Sequence, residues 1–342
     1  MNINVTGEIE EWKNNIPKSI QIVSTTRDFV TFKYERTPYV KAKVSLRFPE
    51  GYPTASNLLV TVEGLAPGLN KKLVREMEQH CETGQSQIQP VTHYLTHFLD
   101  TNLLVPCWKE VRKLVDLSKR QQTKDETGFA MVSLQETKGT MRLKFTRDSY
   151  FVEGKIVVNP GYPSTTTLEN PLEWKVLKTN FPSELSNSVL GQQIKRFVRF
   201  MQDGVSEQEA WLHSNPLFQY DSPRQLIGDG EPKPSLLTLV NIMRTKVMTL
   251  PKTPCPSCRK ELLGSPDPSQ KRRPLCSASC ACWYHFDCLE KVLSEPPFGT
   301  LPCPDCTRET SHPNWSDRAD LERKYVQRRA QQRALDDVAM MF

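Results

Sequence analysis

The feature that most constrains this chain is the crowding of its cysteines near the C-terminus. Eight of the ten cysteines lie between residues 255 and 306, with one of the six histidines. Two Cys-x2-Cys pairs, Cys255 with Cys258 and Cys303 with Cys306, bracket the segment. Such a pair can place two thiolates on one tetrahedral zinc ion, and four ligands complete a structural site. The segment therefore predicts two zinc ions, whose binding replaces the apolar core that so loop-rich a stretch lacks.

Disulfide bonds are the other explanation for clustered cysteines, and they require an oxidising compartment. The N-terminal sequence MNINVTGEIEEWKNN is polar and acidic, unlike a secretory signal peptide. No apolar run in the sequence approaches the roughly 18 residues of a membrane-spanning helix. We therefore expect a nuclear or cytoplasmic protein with no membrane partner. The net charge of +6 over 342 residues permits an acidic partner without requiring nucleic acid.

Upstream of the cysteines, two similar series of alternating apolar and polar residues predict two sets of four strands. Short connections between consecutive strands favour antiparallel meanders. The strands are predicted over residues 19–24, 29–35, 39–48 and 58–64, and again over 129–136, 140–146, 150–158 and 172–177. Helices are predicted over residues 70–82, 91–117 with an interruption at Pro106, 185–204 and 235–250.

The two series also share a Gly-Tyr-Pro corner before the fourth strand, at Tyr52 and at Tyr162. Agreement of strand order and corner position favours two copies of one fold. The alternative is a chance match, because Gly-Tyr-Pro turns are common. The charged stretch at residues 118–128 separates the two copies.

This arrangement of strands, Tyr-Pro corner and helices resembles the RWD fold, a relative of the ubiquitin-conjugating (E2) fold. RWD domains usually carry a later proline after the corner, where this chain has Asn57 and Thr167. The resemblance implies an α+β fold with tandem RWD/E2-like domains over residues 1–120 and 129–250.

The only thiols in these two regions are Cys81 and Cys107. Neither sequence context offers the electropositive, partly exposed setting of a reactive cysteine. Both regions are therefore expected to bind partners rather than to catalyse a reaction.

The ordered candidate ligands resemble a RING domain with a single histidine, over residues 251–312, in which the ligands of two zinc ions interleave as a cross-brace. The resemblance implies one zinc on Cys255, Cys258, His285 and Cys288, and another on Cys276, Cys280, Cys303 and Cys306. Cys282 is then spare. The alternative uses Cys280 with Cys282 and frees Cys276. A PHD finger has similar spacing, but Leu301 stands where that finger carries an aromatic residue.

RING domains bind E2 enzymes through a shallow apolar groove. The matching positions here are Ser257, Val292 and Pro304. Ser257 replaces the usual Ile or Leu and Val292 replaces a frequent Trp, so both reduce the apolar contact. Arg308 lies two residues after the last ligand, close to where a basic residue of the family helps to hold ubiquitin.

Tandem RWD-like domains followed by a RING are similar to the RWD–RING ubiquitin ligases related to Fanconi anaemia complementation group L. The resemblance implies a RING-type E3 ubiquitin transferase with two structural Zn2+ ions, partnered by an E2 enzyme, ubiquitin and a protein substrate. Such a ligase orients the E2–ubiquitin thioester without a covalent intermediate, so no catalytic residue is expected.

The family typically monoubiquitylates a DNA-repair protein in the nucleus. Its additional N-terminal E2-like domain is expected to have no counterpart in this sequence, while residues 313–342 are expected to form a helical tail. Whether the chain works within a multi-subunit complex stays open. A non-catalytic zinc scaffold in a ubiquitin-related complex is the alternative function.

Overall fold

The computed structural model describes residues 5–120, 127–163, 172–203, 235–264, 273–277, 279–280 and 282–340, without the side chains of residues 199–203, 275 and 276. Contacts divide the chain into two compact units. The first comprises Met1–Asp116, Ser133–Met141 and Val157–Leu172, and the second comprises Leu117–Val132, Arg142–Ile156 and Glu173–Phe342. Among the described residues, no helix combines the length and apolar character needed to span a membrane.

The first sheet is an antiparallel meander of four strands in sequence order. Its strands are β1 (Ile20–Thr25), β2 (Phe29–Thr37), β3 (Val40–Arg47) and β4 (Leu59–Glu63). Alternate residues of β3 are buried, which is the burial pattern of a sheet with one face on a core. The core is completed by helices α1 (Val5–Asn14), α2 (Pro67–Glu78), α3 (Ile88–Thr101) and α4 (Trp108–Lys119).

The second sheet repeats this strand order with β5 (Gly128–Gln135), β6 (Thr140–Arg147), β7 (Tyr150–Val158) and β8 (Leu172–Thr179). It is followed by α5 (Ser183–Leu185), a π-helical stretch (Ser186–Gln193), α6 (Ile194–Asp203) and α7 (Leu236–Ile242), which continues into a second π-helical stretch (Met243–Val247). The chain thus has the predicted α+β composition with two antiparallel four-stranded sheets.

The two sheets share their corner as well as their strand order. The Tyr52–Pro53 and Tyr162–Pro163 peptide bonds are both cis. The sheets differ in how their cores are filled. In the first, Val44 pairs across the strands with Val62. In the second, the Trp174 ring lies so close to Gly154 that a Cβ at Gly154 would come within 2.1 Å of it. The second sheet thus packs a large ring against a glycine.

Helix α1 was not predicted from the polar N-terminal sequence, and the structure gives it a specific anchor. Glu8 is buried, and its Oε1 accepts hydrogen bonds from the backbone N–H groups of Gln87 at 2.8 Å and Ile88 at 2.9 Å. The Tyr52 hydroxyl donates to the same carboxylate at 2.9 Å. Glu8 thus ties α1 to the Tyr-Pro corner and to the start of α3, where backbone N–H groups have no partner within the helix.

Helix boundaries also differ from prediction around Pro106. Instead of one interrupted helix, α3 ends at Thr101 and α4 begins at Trp108, with a 3-10 turn at Val105–Cys107. Proline has no N–H and its ring clashes with the preceding turn, so it is tolerated in the first turn of a helix, where Pro106 lies, but not in a helix interior.

The C-terminal segment is built from short elements. These are the hairpin of β9 (Pro274–Cys276) and β10 (Trp283–His285), helix α8 (Phe286–Ser294), the hairpin of β11 (Leu301–Pro302) and β12 (Glu309–Thr310), a 3-10 turn (Pro313–Trp315) and helix α9 (Arg318–Ala339). Its small core contains Tyr284, Leu289 and Leu293 among the buried cysteines. The expected helical tail is α9, which buries only Leu321 among its described residues.

Candidate metal centre

Two copies of one tight turn carry four of the candidate ligands. We call them knuckle 1 (residues 255–261, CPSCRKE) and knuckle 2 (residues 303–309, CPDCTRE). In knuckle 1 the Cys255 N–H donates to the Lys260 carbonyl at 2.9 Å, and the Arg259 N–H donates to the Cys255 carbonyl at 2.8 Å. The same two bonds recur in knuckle 2 through Cys303, Thr307 and Arg308. Each knuckle therefore presents two sulfurs from a turn fixed by its own backbone.

The first group of candidate ligands, site 1, comprises Cys255, Cys258, His285 and Cys288, whose ligand atoms lie within 4.8 Å of one another. The Nδ1 atom of His285 lies 3.3 Å from Sγ of Cys258 and 3.6 Å from Sγ of Cys288. Its Nε2 atom lies 3.0 Å from the carbonyl oxygen of Glu261. Because a carbonyl only accepts, Nε2 carries the hydrogen, and the lone pair of Nδ1 faces the sulfurs.

The second group, site 2, comprises Cys280, Cys282, Cys303 and Cys306, again with all ligand atoms within 4.8 Å. The Sγ atoms of Cys282 and Cys306 are 3.7 Å apart. Four sulfurs at about 2.3 Å from a tetrahedral zinc ion are separated by about 3.8 Å. The spacing of these two sulfurs therefore fits a shared metal ion.

The two groups alternate along the chain in pairs: the first and third pairs of ligands form site 1, and the second and fourth form site 2. The structure thus brings together seven of the eight predicted ligands. The side chain of the eighth, Cys276, lies outside the described residues, so its assignment stays a prediction. Cys282, which the sequence left as an alternative ligand, lies with Cys280 in site 2.

The predicted E2-contact residues lie around the two knuckles. Ser257 and Pro304 are exposed, and an ion pair between their neighbours Arg259 and Asp305 joins the two knuckles. Val292 is half-buried on α8, one turn after the site 1 ligand Cys288, and packs against the small core.

Arg308 belongs to knuckle 2 rather than projecting freely beyond it. Its Nη2 atom donates to the Cys280 carbonyl at 2.8 Å. The guanidinium group therefore links knuckle 2 to the chain segment that carries two of the site 2 ligands.

Three residues that sequence reasoning missed contact the ligands. Glu261 accepts from His285, while Tyr284 and Thr310 place hydroxyl groups beside site 2 sulfurs. Glu261 makes this contact through its backbone carbonyl, so its side-chain type gave no signal in the sequence. Nothing in the local sequence marks the other two, because their contacts with ligands span 19 and 30 residues.

The two remaining thiols lie in the first unit and are poorly suited to nucleophilic chemistry. Burial, with a contribution from the charge of Glu78, raises the pKa of Cys81 to about 11. Burial also raises the pKa of Cys107, whose side chain is fully enclosed. Since the thiolate is the reactive form, both groups are unreactive at neutral pH.

No family model matches this sequence, and no curated protein and no solved structure matches the chain. Function is therefore argued from the repeated fold and from the geometry of the metal centre.

Proposed function

We propose that this chain is a RING-type E3 ubiquitin ligase, whose zinc domain binds an E2–ubiquitin thioester and whose tandem RWD-like domains bind a protein substrate. The observation that carries the proposal is the interleaving of sites 1 and 2. It matches the cross-brace implied by the resemblance to RING domains, and consecutive zinc fingers would not produce it.

Zinc is the metal best suited to these donors. Sites with four sulfurs or with three sulfurs and one imidazole are typical of structural zinc. Each site has four donors, which completes tetrahedral coordination and leaves no position for a reactive water. When bound, the metal supplies folding free energy rather than chemistry. Zinc in both sites would hold knuckle 1, α8 and knuckle 2 in one rigid surface.

The proposed E2-binding surface lies on the outer sides of the knuckles. Ser257 and Pro304 are exposed there, and the ion pair of Arg259 with Asp305 keeps the two knuckles adjacent. Val292 adds apolar contact from α8. Binding on such a surface restricts the freedom of the thioester and favours attack by a substrate lysine. Arg308, held by the Cys280 carbonyl, would offer its charge to ubiquitin from a fixed position.

Substrate binding is assigned to the two sheet-containing regions because of their resemblance to tandem RWD domains. Their strand order and Tyr-Pro corners recur, as in tandem RWD domains. Cys81 and Cys107 are buried, so neither could carry ubiquitin as an E2 cysteine does. By resemblance, the substrate is a DNA-repair protein, monoubiquitylated in the nucleus.

A non-catalytic zinc scaffold is the second candidate, and two residues favour it. Ser257 exposes a small polar group where RING ligases usually present Ile or Leu. Val292 is half-buried, so less of it is available to a partner. Both features weaken the apolar contact with an E2 enzyme.

The test is single-turnover discharge of preformed E2–ubiquitin thioesters onto free lysine, across a panel of E2 enzymes. We expect the wild-type chain to accelerate discharge with at least one E2, and Val292→Ala to lose most of the acceleration. Val326→Ala is the matched control, because Val326 is an exposed valine on α9, 66% accessible and remote in sequence from the knuckles. Metal analysis of the same samples should give two zinc ions per chain. A folded chain with two zinc ions and no acceleration with any E2 would favour the scaffold.

A further inference from the structure

A phenol hydroxyl lies in the interior of the metal centre. Tyr284, on β10, is fully buried, and its Oη atom lies 3.0 Å from Sγ of Cys303 and 3.2 Å from Oγ1 of Thr310. Thr310 is 1% exposed, and its Oγ1 lies 3.6 Å from Sγ of Cys280. Two hydroxyl groups thus face two of the four sulfurs of site 2.

The directions of these hydrogen bonds follow from what each group can donate. A metal-bound thiolate has no hydrogen and can only accept. Tyr284 therefore donates to Cys303, and the Thr310 hydroxyl is left to donate either to Cys280 or to the Tyr284 oxygen. Bonds from a neutral donor to an anionic acceptor are stronger than neutral bonds. The pair of hydroxyls is thus suited to a charged site rather than to four neutral thiols.

The two sites differ in the charge that they must hold. Three thiolates and one neutral imidazole on a divalent ion leave site 1 with one negative charge, whereas four thiolates leave site 2 with two. Buried charge is costly unless it is paired or hydrogen-bonded. The buried hydroxyl pair lies beside the site with the larger charge.

We propose that Tyr284 and Thr310 are positioning residues for a zinc ion in site 2. Their hydroxyl groups orient the sulfurs of Cys303 and Cys280 and offset part of the thiolate charge. Partners outside the ligand set commonly have this role in metal sites, and their loss typically lowers metal affinity about 10- to 100-fold. The inference rests on the metal occupancy in the proposed function but does not depend on ubiquitin transfer.

The experiment uses the full chain loaded with cadmium-113, which gives one NMR signal for each site because the donor sets differ. Tyr284→Phe removes only the hydroxyl and keeps the buried ring. We expect it to shift the signal of the four-sulfur site, to leave that of site 1 in place, and to weaken metal retention at site 2 about 10- to 100-fold in chelator competition. Tyr325→Phe is the matched control, because the Tyr325 ring packs against Phe298 and Tyr325 is not a neighbour of either site in sequence.

Substitutions at Thr310 test the same inference without changing Tyr284, so the test does not depend on the folding of Tyr284→Phe alone. Thr310→Val should reproduce a smaller loss at site 2, and Thr310→Ser, which keeps the hydroxyl, should restore wild-type retention. Equal effects at both sites, or none at site 2, would overturn the inference. A wild-type chain that binds fewer than two metal ions would instead refute the metal centre of the proposed function, and this inference with it.

Discussion

Replacing Glu8 by alanine should be among the most destabilising single changes in the first unit. Glu8 is 5% exposed and serves three donors, the backbone N–H groups of Gln87 and Ile88 and the hydroxyl of Tyr52. A buried donor without an acceptor costs about 1–3 kcal/mol. Water entering the vacated space would satisfy some of these donors, so we expect Glu8→Ala to lower the free energy of unfolding by about 3–5 kcal/mol.

The assay is urea denaturation followed by far-ultraviolet circular dichroism, with hydrogen exchange at the start of α3 as a local readout. Glu8→Gln keeps one acceptor oxygen and should lose about 1–2 kcal/mol. Glu11→Ala is the control, since Glu11 lies on the same helix with an exposed side chain. The reasoning would be wrong if Glu8→Ala and Glu11→Ala unfolded at the same urea concentration, or if exchange at Gln87 and Ile88 were unchanged.

Three further predictions follow from the packing and from the thiols. Gly154→Ala should destabilise the second unit by about 3 kcal/mol in denaturation, because its Cβ would lie 2.1 Å from the Trp174 ring; wild-type stability would contradict this packing. Cys282→Ser should reduce the zinc content from two ions towards one while Cys276→Ser leaves two, as measured by mass spectrometry; the reverse result would place Cys276 in site 2. Because its pKa is raised to about 11, the folded-state alkylation rate of Cys81 should keep rising up to about pH 11, and a plateau near pH 9 would refute the burial argument. The same shift means that stability contributed by the neutral thiol is present below pH 9 and is lost as the pH rises towards 11.

Much of the fold was accessible from local patterns. Alternation of apolar and polar residues predicted all eight strands of the two sheets, because a sheet with one face on a core buries every second residue of each strand. Val5, Ile9 and Trp12 lie at helical spacing in α1, but three apolar positions in a polar stretch of ten residues are too short a pattern to predict a helix. The anchor that places this helix joins Glu8 to Gln87, a contact between residues 79 apart that no local pattern encodes.

The type and number of the candidate metal ligands could be predicted, because a Cys-x2-Cys pair can place two sulfurs on one metal ion. The place of Cys282 beside Cys280 in site 2 was not predictable, since a loop can accommodate the spacing of Cys282 or that of Cys276. The contacts of the Tyr284 and Thr310 hydroxyl groups with the sulfurs could not be predicted either, because a sequence does not show which hydroxyl groups are buried.

The interleaving of the two sites sets where this segment can change in length. Between Cys280 and Cys288, the first two ligands serve site 2 and the last two serve site 1. One residue inserted within β10 would turn its side chains to the opposite face and displace ligands of both ions at once. The intervals from Cys258 to Cys280 and from Cys288 to Cys303 lead from one site to the other, but they also contain β9 and most of α8. Insertions, epitope tags and loop grafts should therefore be rejected between Cys280 and Cys288, and tolerated in the two intervals only outside knuckle 1, β9 and α8.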